Sequence, residues 1–266
     1  MAKKPAKKPT AAGTTSTKVK TTRITAAPAG YKRYFQGRDY STLPYGAIIA
    51  ELLGTFTLAI VFLNLQGQPI SVLFAYIALV LIFAPLSGSH FNPALTVGLW
   101  VARRMSGLRT IGYVLAQVTG AMLALIVASN FIPEAVNQLT GAPEQGKLYA
   151  AQELPERTPD LWRVLTIEAI GMFIYAFGFA RAKMSPISNM AKGYTIAGAF
   201  LLGQVIIQGS QILNPSLALA LQAIKVEPWP LAIYVLTPLV SSIAAMALYR
   251  FLQKEQAAKA NNATTV

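Results

Sequence analysis

The sequence predicts an all-α membrane protein with six transmembrane helices and two re-entrant half-helices, arranged as an inverted internal repeat. Three observations carry that fold class. Hydrophobic residues make up 54% of the 266 residues and charged residues only 12%, about half the charged share of an ordinary soluble domain. The formal net charge is nevertheless +13, because ten of the 23 Lys and Arg are gathered in the first 38 residues. A pattern of Glu, Gly and Asn-Pro then occurs twice, in the same order. This balance argues against a disordered chain, a disulfide scaffold and an ordinary cytosolic enzyme. The absence of cysteine removes disulfides, thiolate chemistry and Cys-type zinc sites.

Residues 1–39 are rich in Lys, Ala, Thr and Pro. Such a stretch cannot bury enough apolar surface to offset its ordering entropy, so it is expected to be a disordered basic tail. No apolar run follows the early lysines at the distance a secretory signal requires. The tail reads as solvated, or as adhering to anionic lipid at roughly 1 kcal/mol per basic residue. No nucleic-acid partner is expected, since neither aromatic interleaving nor a motif accompanies the charge. The body is expected over 40–256, with a short tail at 257–266.

Within the body, six apolar runs approach the length of about 20 residues that a helix needs to cross a bilayer. They cover 44–64, 70–87, 110–131, 161–181, 193–209 and 229–251. Two shorter runs, 91–100 and 213–224, are half as long, and each carries Asn-Pro at its start. Lys and Arg mark the cytoplasmic side. Arg103, Arg104 and Arg109 follow span two, Arg181, Lys183 and Lys192 follow span four, and Arg250, Lys254 and Lys259 follow span six. All share the side of the basic tail if every run crosses. The 132–160 loop, on the other side, holds five acidic residues against Lys147 and Arg157. Both termini are therefore expected in the cytoplasm of a multi-pass cell-membrane protein.

The repeat gives the runs their order. Glu51-Leu52-Leu53-Gly54-Thr55-Phe56 in span one matches Glu168-Ala169-Ile170-Gly171-Met172-Phe173 in span four. Asn92-Pro93 follows Glu51 by 41 residues and Asn214-Pro215 follows Glu168 by 46, each preceded by Gly-Ser at 88–89 and 209–210. Repeat one is expected over 44–131 and repeat two over 161–251. Three spans per half invert the second half relative to the first.

An Asn-Pro start suits a short helix inside a membrane. Proline fits the first turn, where its missing N–H costs nothing. The Asn side-chain oxygen caps first-turn N–H groups, leaving its NH2 to donate outward. Two inverted half-helices would meet with their partly positive N-termini near the midplane, where irregular backbone is tolerated only if buried or lining a path. Asn92 and Asn214 would then offer donors to a neutral solute, and the dipoles would repel cations. The alternative for each is a structural re-entrant segment with a buried cap.

The run Ser87-Gly88-Ser89-His90-Phe91-Asn92-Pro93-Ala94-Leu95-Thr96-Val97-Gly98 strongly resembles the first signature loop of the aquaporin, or major intrinsic protein, family. Asn214-Pro215-Ser216 is similar to the second, with Ser for Ala. The resemblance spans about 44–251 and includes both Glu positions and the Gln117 region. It implies an aquaporin-like bundle, a pore in each subunit, a homotetramer, no cofactor and no enzymatic activity. It also implies passive transport of water and, in some branches, of small neutral solutes. Its implied midplane residues are Asn92, Pro93, Ala94, Asn214, Pro215 and Ser216, with His90 lining the pore or, alternatively, a satisfied buried histidine. The only histidine cannot build a metal site or a catalytic triad.

The outer constriction departs from the family. Where the family usually places Arg after the second motif, this chain has Leu217; where glycerol channels carry Asp, it has Ala218. The other constriction positions align to Val72 (Phe74 next), to Gln204 or Val205, and to Gln211. A wider, less charged filter lined partly by Gln is expected there.

Glu51 and Glu168 sit in apolar runs, where a carboxylate costs about 2.5–3.5 kcal/mol. They are expected to accept N–H groups from the loops that lead to the half-helices. The alternative makes one of them the titrating group of a proton-coupled transporter. A non-conducting structural homologue is the other alternative. Gly54, Gly120, Gly171, Gly178, Gly193 and Gly198 read as sites of close helix packing. Tyr45, Trp100, Tyr113, Trp162 and Trp229 read as interfacial anchors.

Overall fold

A computed structural model describes residues 43–131, 135–136, 143–144, 146–207 and 211–263. The basic tail 1–39, Gly209-Ser210 and residues 264–266 lie outside the described residues. The helices are α1 (Tyr45–Asn64), α2 (Pro69–Phe83), α3 (Pro93–Val101), α4 (Gly107–Asn130), α5 (Thr158–Met184), α6 (Asn189–Val205), α7 (Pro215–Ala220), α8 (Pro228–Leu231) and α9 (Thr237–Ala263). A π-helical turn, Ala232–Leu236, joins the last two. A two-residue antiparallel pair, β1 (Ala135–Val136) with β2 (Pro143–Glu144), lies between α4 and α5.

Prolines set several boundaries. Pro69, Pro93, Pro215 and Pro228 each open a helix. Span two was expected to reach 87, but α2 ends at Phe83; Ala84 still has helical backbone, and Pro85, which has no N–H to donate, cannot continue the ladder. Pro238 cannot donate within its helix, and the turn just before it widens to the π form. The sixth span runs past its expected end at 251 to Ala263. Residues 252–259 are good helix formers, and Glu255 pairs with Lys259 at 2.8 Å across one turn.

The packing has the symmetry of the repeat. Helix α1 packs on α4 as α5 packs on α9, and α2 meets α6, its counterpart. Each half-helix leans on the last span of the other half: α3 on α9, α7 on α4. Glycine makes the closest approaches possible. A Cβ on Gly171 would meet the Gly203 carbonyl oxygen at 2.5 Å, and one on Gly203 the Gly171 oxygen at 2.6 Å, so α5 and α6 touch backbone to backbone. Gly120 does the same for α4 against Leu52 of α1. Gly198 does not: nothing lies within 4 Å of a Cβ there.

Among the described residues, four helical stretches are long and apolar enough to cross a membrane unaided, and α2 is a shorter apolar helix. Their outward faces carry Ile49, Phe74, Ile82, Ile111, Leu115 and Val240, all largely exposed. Apolar surface on this scale is matched to lipid rather than water. Tyr45, Trp100 and Trp162 are exposed, as interfacial anchors require. Tyr113 is not: it is fully buried and donates its hydroxyl to the Ser87 carbonyl at 2.8 Å.

Candidate functional site

The site forms where α3 and α7 meet. Asn92 Oδ1 accepts from Ala94 N and Asn214 Oδ1 from Ser216 N, both at 2.9 Å. Both are side-chain caps in which proline supplies the first helical residue. Each carboxamide then reaches across the repeat axis. Asn92 Nδ2 donates to the Leu213 carbonyl at 2.8 Å, and Asn214 Nδ2 to the Phe91 carbonyl at 2.9 Å. The residues before the two asparagines, Phe91 and Leu213, share positive φ, 48° and 60°. Bulky residues held there store backbone strain. The glycine of each E-x-x-G-x-F makes room: a Cβ at Gly54 would overlap the Phe91 ring, and one at Gly171 would meet Leu213 Cδ2 at 2.8 Å.

The intramembrane carboxylates hold these strained loops. Glu51 Oε1 accepts from Ser87 Oγ at 2.5 Å and His90 N at 2.9 Å. Its Oε2 accepts from Phe91 N at 2.8 Å and Gln117 Nε2 at 2.7 Å. Glu168 accepts from Ile212 N at 3.1 Å and Leu213 N at 2.6 Å. Charge-assisted bonds of this kind offset the cost of burying a carboxylate. Gln117 Nε2 also donates to Thr96 Oγ1 at 2.9 Å, and Thr96 Oγ1 meets His90 Nδ1 at 3.1 Å.

His90 is buried, edge-on to the rings of Tyr113 and Phe179. At this end Lys183 Nζ donates to the Gly88 carbonyl at 2.9 Å, and Arg109 donates to the carbonyl of Ser87 and to Tyr113. Arg250 donates to Ala102 O at 2.7 Å, placing a cation at the C-terminus of α3, where the helix dipole favours one. Helix α7 has six residues, much shorter than the expected 213–224. It ends as α3 does, with a left-handed residue (Gln222, Arg103) and a carbonyl five residues back accepting an N–H at 2.8 Å. The segment 146–157 crosses this end, Ala151 N donating to Leu221 O at 2.9 Å.

Val72, Gln204, Gln211 and Leu217, the four constriction positions, are all buried. Val72 and Leu217 have no exposed surface and join the continuous apolar core. An aliphatic chain in the place of a charged one is drawn into packing rather than out to solvent. Gln204 and Gln211 are also buried, and each leaves its Oε1 without a partner. Phe74 and Val205, by contrast, are 66% and 52% exposed. Phe74 lies two positions, and Val205 one, from a buried residue of the same helix, so the turn of the helix carries both outward. Ala94 and Ser216 are fully buried beside their asparagines, as are Pro93 and Pro215.

Two half-helices held N-terminus to N-terminus by capped asparagines, inside a two-fold-related bundle with a lipid-facing surface, define a multi-pass membrane protein of the channel type. The profile described as "Major intrinsic protein" matches residues 39–249. The chain belongs to that family, whose members are membrane channels for water or small solutes rather than enzymes. It is 29% identical over 197 residues to Aquaporin AqpM of Methanothermobacter marburgensis, covering 68% of this chain and 74% of that one. It is 38% identical over 94 residues to Aquaporin Z of Photorhabdus laumondii, covering 30% and 41% respectively. The fold matches the aquaglyceroporin of Plasmodium falciparum with a TM-score of 0.59 and 19% identity, covering 77% of this chain and 95% of that one.

Proposed function

We propose that this protein is a passive, single-file channel for water and other small neutral solutes, open to movement in either direction. The observation that carries the proposal is the reciprocal asparagine pair. An amide NH2 has two hydrogens, and each asparagine spends one on the opposite loop. One donor per asparagine is left to turn toward a passing oxygen. Pro93, Ala94, Pro215 and Ser216 complete the junction, and Glu51 and Glu168 keep it in shape. Val72, Gln204, Gln211 and Leu217 form an uncharged outer constriction, so rejection of cations falls to the two half-helix ends. The channel domain covers 40–256, with both termini in the cytoplasm of a cell membrane and four copies in the assembly.

Stopped-flow light scattering of proteoliposomes tests this. Water permeability above that of empty vesicles, with no need for a pH gradient, is expected. Flux that appears only with a proton gradient would make the protein a coupled transporter instead.

A further inference from the structure

An aromatic cluster stands beside Phe91, the residue before Asn92. The Tyr175 hydroxyl shares a 2.5 Å hydrogen bond with the Tyr76 hydroxyl. Tyr76 comes from α2 in the first half and Tyr175 from α5 in the second, so the pair bridges the bundle where the halves face each other. Phe200 of α6 seals its flank, edge-on to Tyr76 at 5.4 Å and to Tyr175 at 5.1 Å between centroids. Phe91 lies 6.4 Å from the Tyr76 ring. None of these four rings exposes more than 1% of its surface, and Asn92 and Asn214 are equally covered. The phenol pair and the asparagine junction are therefore packed together inside the bundle, with no exposed surface around them.

We infer that the Tyr76–Tyr175 phenol pair, backed by Phe200, is a gate at the asparagine junction, and that the arrangement described is its closed state. The inference rests on the channel reading above. Opening requires one phenol to swing aside, which breaks the shared hydrogen bond and frees space beside the asparagine junction. The repeat supplies a control for size. Tyr175 lies seven residues after Glu168, and the matching place after Glu51 is the equally buried Leu58. Leucine at this place is thus compatible with the fold.

The test compares wild type, Tyr76→Phe and Tyr175→Leu in proteoliposomes of equal protein content, with matched size-exclusion and thermal-unfolding profiles. Tyr76→Phe removes the shared bond but keeps both rings in place. It should raise water permeability about twofold to tenfold, the shift in population that one net hydrogen bond carries. Tyr175→Leu should raise it further and admit glycerol. The cysteine-free chain allows a second readout. Ser216→Cys, at a buried hydroxyl with no partner, should react with a small methanethiosulfonate reagent faster when Tyr76→Phe is also present. Wild-type flux that neither substitution changes, with unchanged labelling, overturns the gate and leaves the channel. Flux equal to empty vesicles in wild type and both variants overturns both.

Discussion

Glu51 and Glu168 hold equivalent places in the two halves, yet they are unequally supported. Glu51 accepts four donors and Glu168 two. Bonds to a charged group are each worth about 1.5–3 kcal/mol net. Glu51→Gln should therefore cost on the order of 3 kcal/mol or more and Glu168→Gln roughly half as much. Thermal unfolding in detergent reads the difference, and equal losses would contradict it. That both carboxylates need loop N–H groups was legible in the sequence, because an unpaired charge in an apolar run is too costly to leave alone. That Gln117 and Ser87 join only the first was not. They lie 66 and 36 residues away, and no local pattern encodes such a contact. The constriction shows a similar limit. Alignment offered Val72 with Phe74, and Gln204 with Val205; only the helical phase in the folded bundle chooses. Leu217 is packed in the core, so Leu217→Arg buries a charge without a partner and should lower stability by several kcal/mol. An unchanged melting temperature would contradict that packing.

Among the elements, glycine contacts rank the helix pairs. Gly171 and Gly203 let α5 and α6 touch through their backbones, whereas Gly198, on α6 as well, faces open space. Gly171→Ala or Gly203→Ala should cost about 1–3 kcal/mol through overpacking. Gly198→Ala should be neutral or stabilise by roughly 0.5–1 kcal/mol, because alanine loses less backbone freedom in a helix. A ranking in the other order, measured by thermal unfolding, would contradict the packing described. Hydropathy located every helix, since each apolar run has to become one in lipid. It misjudged ends that depend on local chemistry: Pro85 after α2, Pro238 behind the π turn, and the ion-paired extension of α9. The brevity of α7 was also hidden. Its closing turn is made by Leu221 and Gln222, and neither residue is a typical helix stop.

For the whole molecule, net charge and fold become one statement. Ten of the 23 basic residues lie in the first 38, and Arg103, Arg104, Arg109, Lys183 and Arg250 cluster at the loop and helix ends around Gly88 and Ala102. An epitope at either terminus should be reached by antibody only after the cell membrane is permeabilised; labelling of intact cells would reverse the proposed orientation. The central claim is that the asparagine junction passes small neutral solutes down their gradient. Osmotic water permeability of proteoliposomes measures it most directly. The account predicts shrinkage faster than that of empty vesicles for the wild type, and faster again when Tyr175→Leu opens the aromatic pair. Rates indistinguishable from empty vesicles in both proteins, at matched incorporation and folding, would contradict it.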